Sequence, residues 1–235
     1  MSLKQFAALT LFWALALPFL VLSGAAKAGV IVSPVSATAS NTFPDVYFQP
    51  VNLINHNGLV TDFFSGISDF DSYIAGDPQH LNYSKLSEWF TEEGQSGAVL
   101  TFDMGSVMLL DRLALWNEVS WGVGEVAVAL SSDGVTYTGA GSFSPTDWPS
   151  YLAMSGADLF AFTATPARFI QLALSGCPQQ TDPLVVVTGG CALGEVAFRQ
   201  ATASVPEPFT LALFGAGLTG TVLVRRRRAK RNRGV

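Results

Sequence analysis

Two pairs of neighbouring carboxylates in this sequence have residue types that could do chemistry, Asp69 with Asp71 and Glu92 with Glu93. A glycoside hydrolase needs such a pair, with one carboxyl acting as the acid and the other as the base or nucleophile. Acids in loops of an acidic protein are more often simply solvated. The pairs therefore support a polysaccharide hydrolase only as the alternative function.

Other catalytic signatures are absent from the sequence. The two histidines, His56 and His80, lack the His-x-x-x-His spacing of a zinc site, and the cysteines do not form a zinc motif. The stretch Ser131-Ser132-Asp133 is typical of a turn, and no Gly-x-Ser-x-Gly nucleophile motif occurs. We therefore expect a protein that is not an enzyme.

The C-terminal stretch, residues 205–235, combines three features in a fixed order. A Pro-Glu-Pro box precedes an uncharged run at residues 209–224, and a cluster of arginines follows. As a helix the run would span about 24 Å, and snorkelling arginines could make up the difference to a bilayer core of about 30 Å. The basic cluster would then lie on the cytoplasmic side and leave the rest of the protein outside. A buried core helix with a solvated basic tail is the alternative.

This order of features resembles the PEP-CTERM protein-sorting signal of bacteria, which an exosortase-type protease processes. The matching residues are Pro206, Glu207, Pro208, the run Phe209–Val224, and Arg225, Arg226, Arg227 and Arg228. The resemblance implies an exported protein of the cell envelope or extracellular matrix. A single C-terminal transmembrane helix would anchor it, transiently or permanently, in the inner membrane.

The opposite end of the chain predicts a signal peptide, residues 1–28. Lys4 precedes an apolar stretch from Phe6 to Leu22, and Ala26-Lys27-Ala28 fits the small-x-small site of a signal peptidase. A retained N-terminal membrane helix is the alternative, but Pro18 favours the signal peptide. One domain is predicted between the two ends, residues 29–204, and the sorting signal follows it at residues 205–235.

The predicted domain is strongly acidic. It holds four of the thirteen basic residues and seventeen of the eighteen acidic ones, so its net charge is 4 − 17 = −13. Such a body repels nucleic acid, and we expect no nucleic-acid partner. Cys177 and Cys191 make an even count in an oxidising compartment, which predicts one disulfide rather than a reactive thiol.

Short alternating stretches separated by turn residues predict an all-β domain without a long amphipathic helix. We expect a hairpin turn at Ser132-Asp133-Gly134 and strands at 98–103, 110–117, 125–130, 135–138, 159–164, 167–174, 184–188 and 193–198. The remaining segments are predicted as an edge strand or linker at 30–40, ordered loops at 41–77 and a short helical turn at 80–90. Together these elements predict an antiparallel β-sandwich.

Several motifs follow one another along these strands. They are Trp89, the Leu100–Ser106 strand and turn, Leu110–Trp116, the Val128–Tyr137 hairpin, Ala167–Leu172 and Gly194–Phe198. In this order they resemble the discoidin, or F5/8 type C, domains of the galactose-binding-like class. The resemblance covers about residues 50–199, includes a long insert at residues 62–83, and implies an antiparallel jelly-roll β-sandwich.

Members of that class commonly hold a structural calcium ion between an early loop and a glutamate of the last strand. The resemblance therefore implies Asn55, Asn57 and Glu195 as calcium ligands, with Asp62 added if the insert folds back. Oxygen ligands of this kind suit a hard cation. A salt bridge or the capping of a strand end is the alternative role of Glu195.

The resemblance also implies carbohydrate binding through loop aromatics that stack on sugar faces, aided by polar side chains. The predicted set is Trp121, Trp148, Asn117 and Glu118. Burial is the alternative for each tryptophan, and it is favoured for Trp116, which alternates with Leu115 along a strand.

The sequence thus predicts an exported, envelope-associated or exopolysaccharide-associated protein whose body binds carbohydrate or serves as a matrix component. Its partners would be an exosortase-type sorting protease, a signal peptidase, the inner membrane during sorting, and a cell-surface or extracellular polysaccharide. An exported polysaccharide hydrolase is the alternative.

Overall fold

The structure, a computed structural model, describes residues 29–82, 85–149, 154–179 and 189–202. Its strands are β1 (Val30–Val32), β2 (Ser36–Ala39), β3 (His80–Leu81), β4 (Trp89–Phe90), β5 (Gly97–Asn117), β6 (Glu125–Ser131), β7 (Thr138–Phe143), β8 (Met154–Ser155), β9 (Ala157–Ser175) and β10 (Ala192–Gln200). Two short helices accompany them, a 3-10 helix at Pro50–Ile54 and α1 at Phe70–Ala75. In these ranges no helix is long and apolar enough to cross a membrane. The predicted signal peptide and C-terminal helix lie outside the described residues.

Eight strands form one antiparallel sheet in the order β1-β10-β5-β9-β6-β7, with β2 paired to β5 and β4 paired to β10. The long strands β5 and β9 pair with each other along most of their length. Between Asp103 and Met108 their register shifts, and Gly105 has a φ of 78°. Glycine adopts this left-handed conformation without steric cost, and an irregularity of this kind bends a strand. The bend divides the sheet into two halves.

The two halves pack face to face around one core. Phe102 lies before the bend of β5, and its ring contacts that of Phe198 on β10 edge to face, with the centroids 5.9 Å apart. Alternate residues of β6 and of the second part of β9 also enter this core, as the period of a half-buried strand requires. The predicted all-β antiparallel sandwich is therefore confirmed.

The insert covers the outer face of the half that contains β10. Phe63 and Phe70 pack there in a second cluster with Ile31, Ala114, Trp116 and Ala197. The side chain of Asp69 caps α1 by accepting the N–H of Ser72 at 2.7 Å. Asp71, in the first turn of α1, forms ion pairs with Arg112 and Arg199, which lie on β5 and β10. Apolar burial and these charges together fix the insert to the sheet.

Several sequence predictions differ from this structure in detail. Residues 98–103 and 110–117 belong to one strand, as do 159–164 and 167–174. The helical turn predicted at 80–90 is wrong, because His80–Leu81 and Trp89–Phe90 pair as strands with β8 and β10. The strand predicted at 135–138 is also wrong, since β7 begins only at Thr138. The strand predicted at 184–188 lies outside the described residues.

Candidate functional site

The predicted disulfide is confirmed. Cys177 and Cys191 are joined across a sequence separation of 14 residues. The bond ties the chain just after β9 to the residue that precedes β10. It therefore fixes one end of the sandwich, where the loop after β5 also lies.

Asn117, the last residue of β5, holds that loop together. Its side-chain nitrogen donates to the carbonyls of Val123 at 3.3 Å and Thr146 at 3.0 Å, and to Oε1 of Gln179 at 2.8 Å. Its Oδ1 accepts the N–H of Val123 at 2.8 Å. Because the side chain is fully buried and each polar atom has a protein partner, the geometry gives Asn117 a structural role.

Glu118 supports the same loop. Its Oε2 accepts the backbone N–H groups of Ser120 at 2.9 Å and Trp121 at 3.0 Å. Burial raises the pKa of Glu118 to about 7, although backbone donors such as that of Trp121 act in the opposite direction. Its Oε1 is buried and has no hydrogen-bond partner in the part of the chain that the structure describes. Glu118 is thus a buried carboxyl whose charge changes near neutral pH.

Trp121 lies half-buried in the loop that Glu118 supports. Its ring contacts Phe90 edge to face, with centroids 5.6 Å apart. A Cβ at Gly190 would come within 2.5 Å of the six-membered ring, so only glycine allows this packing. Only part of the ring is therefore available to a ligand.

Trp148 has the surroundings best suited to a ligand among the predicted residues. Its half-buried ring lies against Gly156, where a Cβ would stand 3.4 Å away. Its indole nitrogen is buried and, across the described ranges, has no hydrogen-bond partner. The same holds for Oδ2 of Asp147, a residue that the sequence did not single out. Within the described ranges, a buried donor and a buried acceptor without partners thus lie in consecutive residues, and the half-buried ring is the part of Trp148 that a ligand can reach.

Glu195, on β10, connects the last strand to the early loop. Its buried Oε2 accepts the N–H of His56 at 2.9 Å, while Oε1 has no partner among the described residues. The ring of His56 bridges Asp62, 2.7 Å from Nδ1 to Oδ1, and Ser33, 2.9 Å from Nε2 to Oγ. Burial raises the pKa of Glu195 well above its usual value, and the charge of Asp62 adds to this. The insert does fold back toward Glu195.

The side-chain amides of Asn55 and Asn57 face the backbone of Leu86 rather than Glu195. Both side-chain nitrogens donate to the carbonyl of Leu86, at 2.9 and 3.1 Å. Oδ1 of Asn55 accepts the N–H of Asn57 at 2.9 Å. In the described ranges no group of three or more His, Cys, Asp or Glu side chains is arranged to hold a metal ion. The calcium site at Asn55, Asn57 and Glu195 therefore stays a prediction.

Three of the four acids considered for catalysis have structural contacts. Asp69 caps α1, and Asp71 binds two arginines. Oε2 of Glu92 accepts the side-chain N–H of Asn41 at 3.0 Å. These three acids therefore have structural roles, because they hold the insert and a loop in place.

The C-terminal sequence matches a known motif. A family model described as the PEP-CTERM protein-sorting motif matches residues 204–228. The chain therefore carries this motif, which indicates an exported protein that is sorted or membrane-anchored. No curated protein matches the chain in sequence.

Three of the solved structures that are similar to the chain are carbohydrate-binding modules. Chitosan-binding module 1 of a chitosanase/glucanase from Paenibacillus sp. IK-5 is 16% identical, with a TM-score of 0.46, over 73% of this chain and 98% of that one. The family 32 module of C. perfringens NanJ, in complex with galactose, is 10% identical, with a TM-score of 0.47, over 73% and 100%. The family 32 module of AlyQ, in complex with 4,5-unsaturated mannuronic acid, is 22% identical, with a TM-score of 0.43, over 72% and 96%.

Proposed function

We propose that this chain is an exported protein of the bacterial envelope or exopolysaccharide, with a galactose-binding-like body that binds carbohydrate or serves as a matrix component. A signal peptidase would remove residues 1–28, and an exosortase-type protease would process the C-terminal signal while residues 209–224 span the inner membrane. The match at residues 204–228 supports the sorting step. The disulfide also fits an oxidising compartment.

One observation carries the carbohydrate-binding part of the proposal, the arrangement at Trp148. The ring is only half-buried, and it lies against Gly156, where a Cβ would stand 3.4 Å away, so part of the ring is accessible beside a residue without a side chain. The exposed part of the ring would then contact the apolar face of the sugar.

A polysaccharide pull-down and a glycan array test this site. We expect Trp148→Ala to weaken binding by about tenfold, equivalent to about 1.4 kcal/mol. Phe64→Ala is the matched control, because Phe64 is an aromatic residue that is 72% exposed on the insert. Equal binding by Trp148→Ala, Phe64→Ala and the wild type would remove Trp148 from the site.

The sorting step is tested by the intact mass of the mature protein. We expect a C-terminus upstream of residue 209 in cells that contain the sorting protease, and a chain that still ends at Val235 in cells that lack it. Chains ending at Val235 in both strains would defeat the sorting proposal.

A structural calcium ion belongs to this proposal as well. Its support is the buried Oε1 of Glu195, which has no partner within the described ranges. The side-chain oxygens of Asn55, Asn57 and Asp62 would be the further ligands.

We also propose that the domain is not an enzyme. This would be contradicted if the protein cleaved a polysaccharide and Asp69→Asn or Glu92→Gln abolished the cleavage.

A further inference from the structure

Tyr47, Lys85 and Leu86 form an exposed surface, the Tyr47 platform, which the sites above do not use. Nζ of Lys85 lies over the Tyr47 ring, 4.6 Å from its centroid. The N–H of Leu86 donates to the carbonyl of Tyr47 at 3.0 Å, and Oδ1 of Asp45 accepts the N–H of Tyr47 at 3.0 Å. These contacts hold three side chains from two separate loops together at the surface.

The backbone of Leu86 is strained at this platform. Its φ is 67°, in the left-handed region that a bulky residue rarely adopts. The Tyr47 carbonyl and the amides of Asn55 and Asn57 bind both polar groups of its backbone and keep it there. The Leu86 side chain is nevertheless 47% exposed, so packing in the core does not explain the strain. Strain that is enforced from several sides is typical of ligand sites.

Lys85 also differs from the other basic residues that the structure describes. Arg112 and Arg199 form ion pairs with Asp71, and Arg168 with Asp103. Lys85 forms no ion pair with a carboxylate of the described ranges, and its ammonium lies over the Tyr47 ring. The platform therefore presents a positive charge that no acid neutralises, on a domain that is otherwise strongly acidic.

These features together specify the chemistry of a ligand. An exposed tyrosine and an exposed leucine offer an apolar surface for the C–H face of a sugar ring, and a lysine ammonium pairs with a carboxylate through charge-assisted hydrogen bonds. The acidic surroundings repel negative charges that are not seated on Lys85, so they favour a ligand that carries few carboxylates. We propose that the Tyr47 platform binds a uronic-acid residue of a polysaccharide that is otherwise largely neutral. The inference rests on the proposed carbohydrate binding and names a ligand class for it.

The test compares two small probes that differ in one charge, galacturonic acid and its methyl ester. The full exported protein should bind galacturonic acid at least tenfold more tightly, and added salt should reduce that preference. Lys85→Met keeps most of the aliphatic stem and should abolish the preference, while Lys85→Arg should retain it. Tyr47→Ala should weaken binding of both probes at least fivefold, and Tyr47→Phe should keep most of the binding.

The outcomes separate this inference from the proposed function. Equal affinity of the wild-type protein for the two probes, or a preference that persists in Lys85→Met, overturns the platform. If the protein still binds a polysaccharide through Trp148 in that case, the proposed function stands. Failure to bind any polysaccharide overturns both. Thermal unfolding midpoints equal to that of the wild type verify that the variants, all at exposed positions, are folded.

Discussion

Replacing Glu118 by glutamine should change how the stability of the protein depends on pH. Burial raises the pKa of Glu118 from 4.5 to about 7. That rise of about two and a half pH units corresponds to about 3 kcal/mol, at about 1.4 kcal/mol per unit. Between these pH values the carboxyl is protonated in the folded protein and ionised in the unfolded chain. The contribution of Glu118 to the stability of the folded protein is therefore complete below pH 4.5 and is lost as the pH rises to about 7.

His80 has the opposite effect over an overlapping range. Its ring is packed between Gly58 and Gly194, where a Cβ would come within 1.9 and 2.6 Å of it. Burial lowers the pKa of His80 from 6.5 to about 4. Between these pH values the His80 ring is neutral in the folded protein and protonated in the unfolded chain. Its contribution to the stability of the folded protein is therefore complete above pH 6.5 and is lost as the pH falls. The two effects partly cancel in the wild-type pH profile.

The difference between wild type and Glu118→Gln isolates the glutamate, because His80 is the same in both proteins. We would measure the free energy of unfolding in urea, followed by tryptophan fluorescence, at several values from about pH 4.5 to about pH 7.5. We expect the free energy of unfolding of Glu118→Gln, relative to that of the wild type, to increase by about 3 kcal/mol as the pH rises across this range. Glu93→Gln controls for the loss of one carboxyl from an exposed position. A difference that stays constant with pH would refute the idea that burial outweighs the two backbone donors of Glu118.

Three further predictions concern the bonds that fix the loops. Replacing Cys177 and Cys191 together by serine should lower the free energy of unfolding by about 3 kcal/mol; no change in the urea midpoint would contradict the stabilising role of the disulfide. Asp71→Ala leaves two arginines without their shared carboxylate, so amide hydrogen exchange in α1 should become faster, and unchanged protection would show that apolar burial alone holds the insert. If calcium binds at Glu195, a chelator should lower the thermal midpoint of the wild type but not that of Glu195→Gln. Equal midpoints with and without chelator in the wild type count against the ion.

The alternation of apolar residues was sufficient to predict most of the sheet. Leu100 and Phe102 face the core from β5, and Val126 and Val128 face it from β6, as the two-residue period requires. The pattern could not show that β5 continues through Gly105, because a glycine between two alternating runs is equally typical of a turn. It also could not show that Asp133 accepts the N–H groups of Val135 and Thr136, which keeps these residues in the turn before β7.

The candidate site was less predictable because its geometry depends on partners that are distant in sequence. Asn117 and Glu118 stand beside a loop tryptophan, and their types suit sugar hydroxyls. Their partners are instead backbone groups and a glutamine side chain, which only the fold brings close. Tyr47 and Lys85 are well separated in sequence, and the unusual φ of Leu86 leaves no trace in the residue types. Trp116 was the simpler case, since its position within an alternating strand correctly predicted burial.

The insert also limits where a ligand can bind. It closes the outer face of the sheet half that contains β10, with Phe63 and Phe70 buried against it and Asp71 bound to two arginines. An anionic ligand would therefore have to compete with Asp71 for these arginines. Arg168 is held by Asp103 through two hydrogen bonds, at 2.8 and 2.9 Å. Among the described basic residues, Lys85 is thus the cation that an acidic sugar can reach without breaking an existing ion pair. A preference for the uronic acid that survives Lys85→Met would point to one of those paired arginines instead.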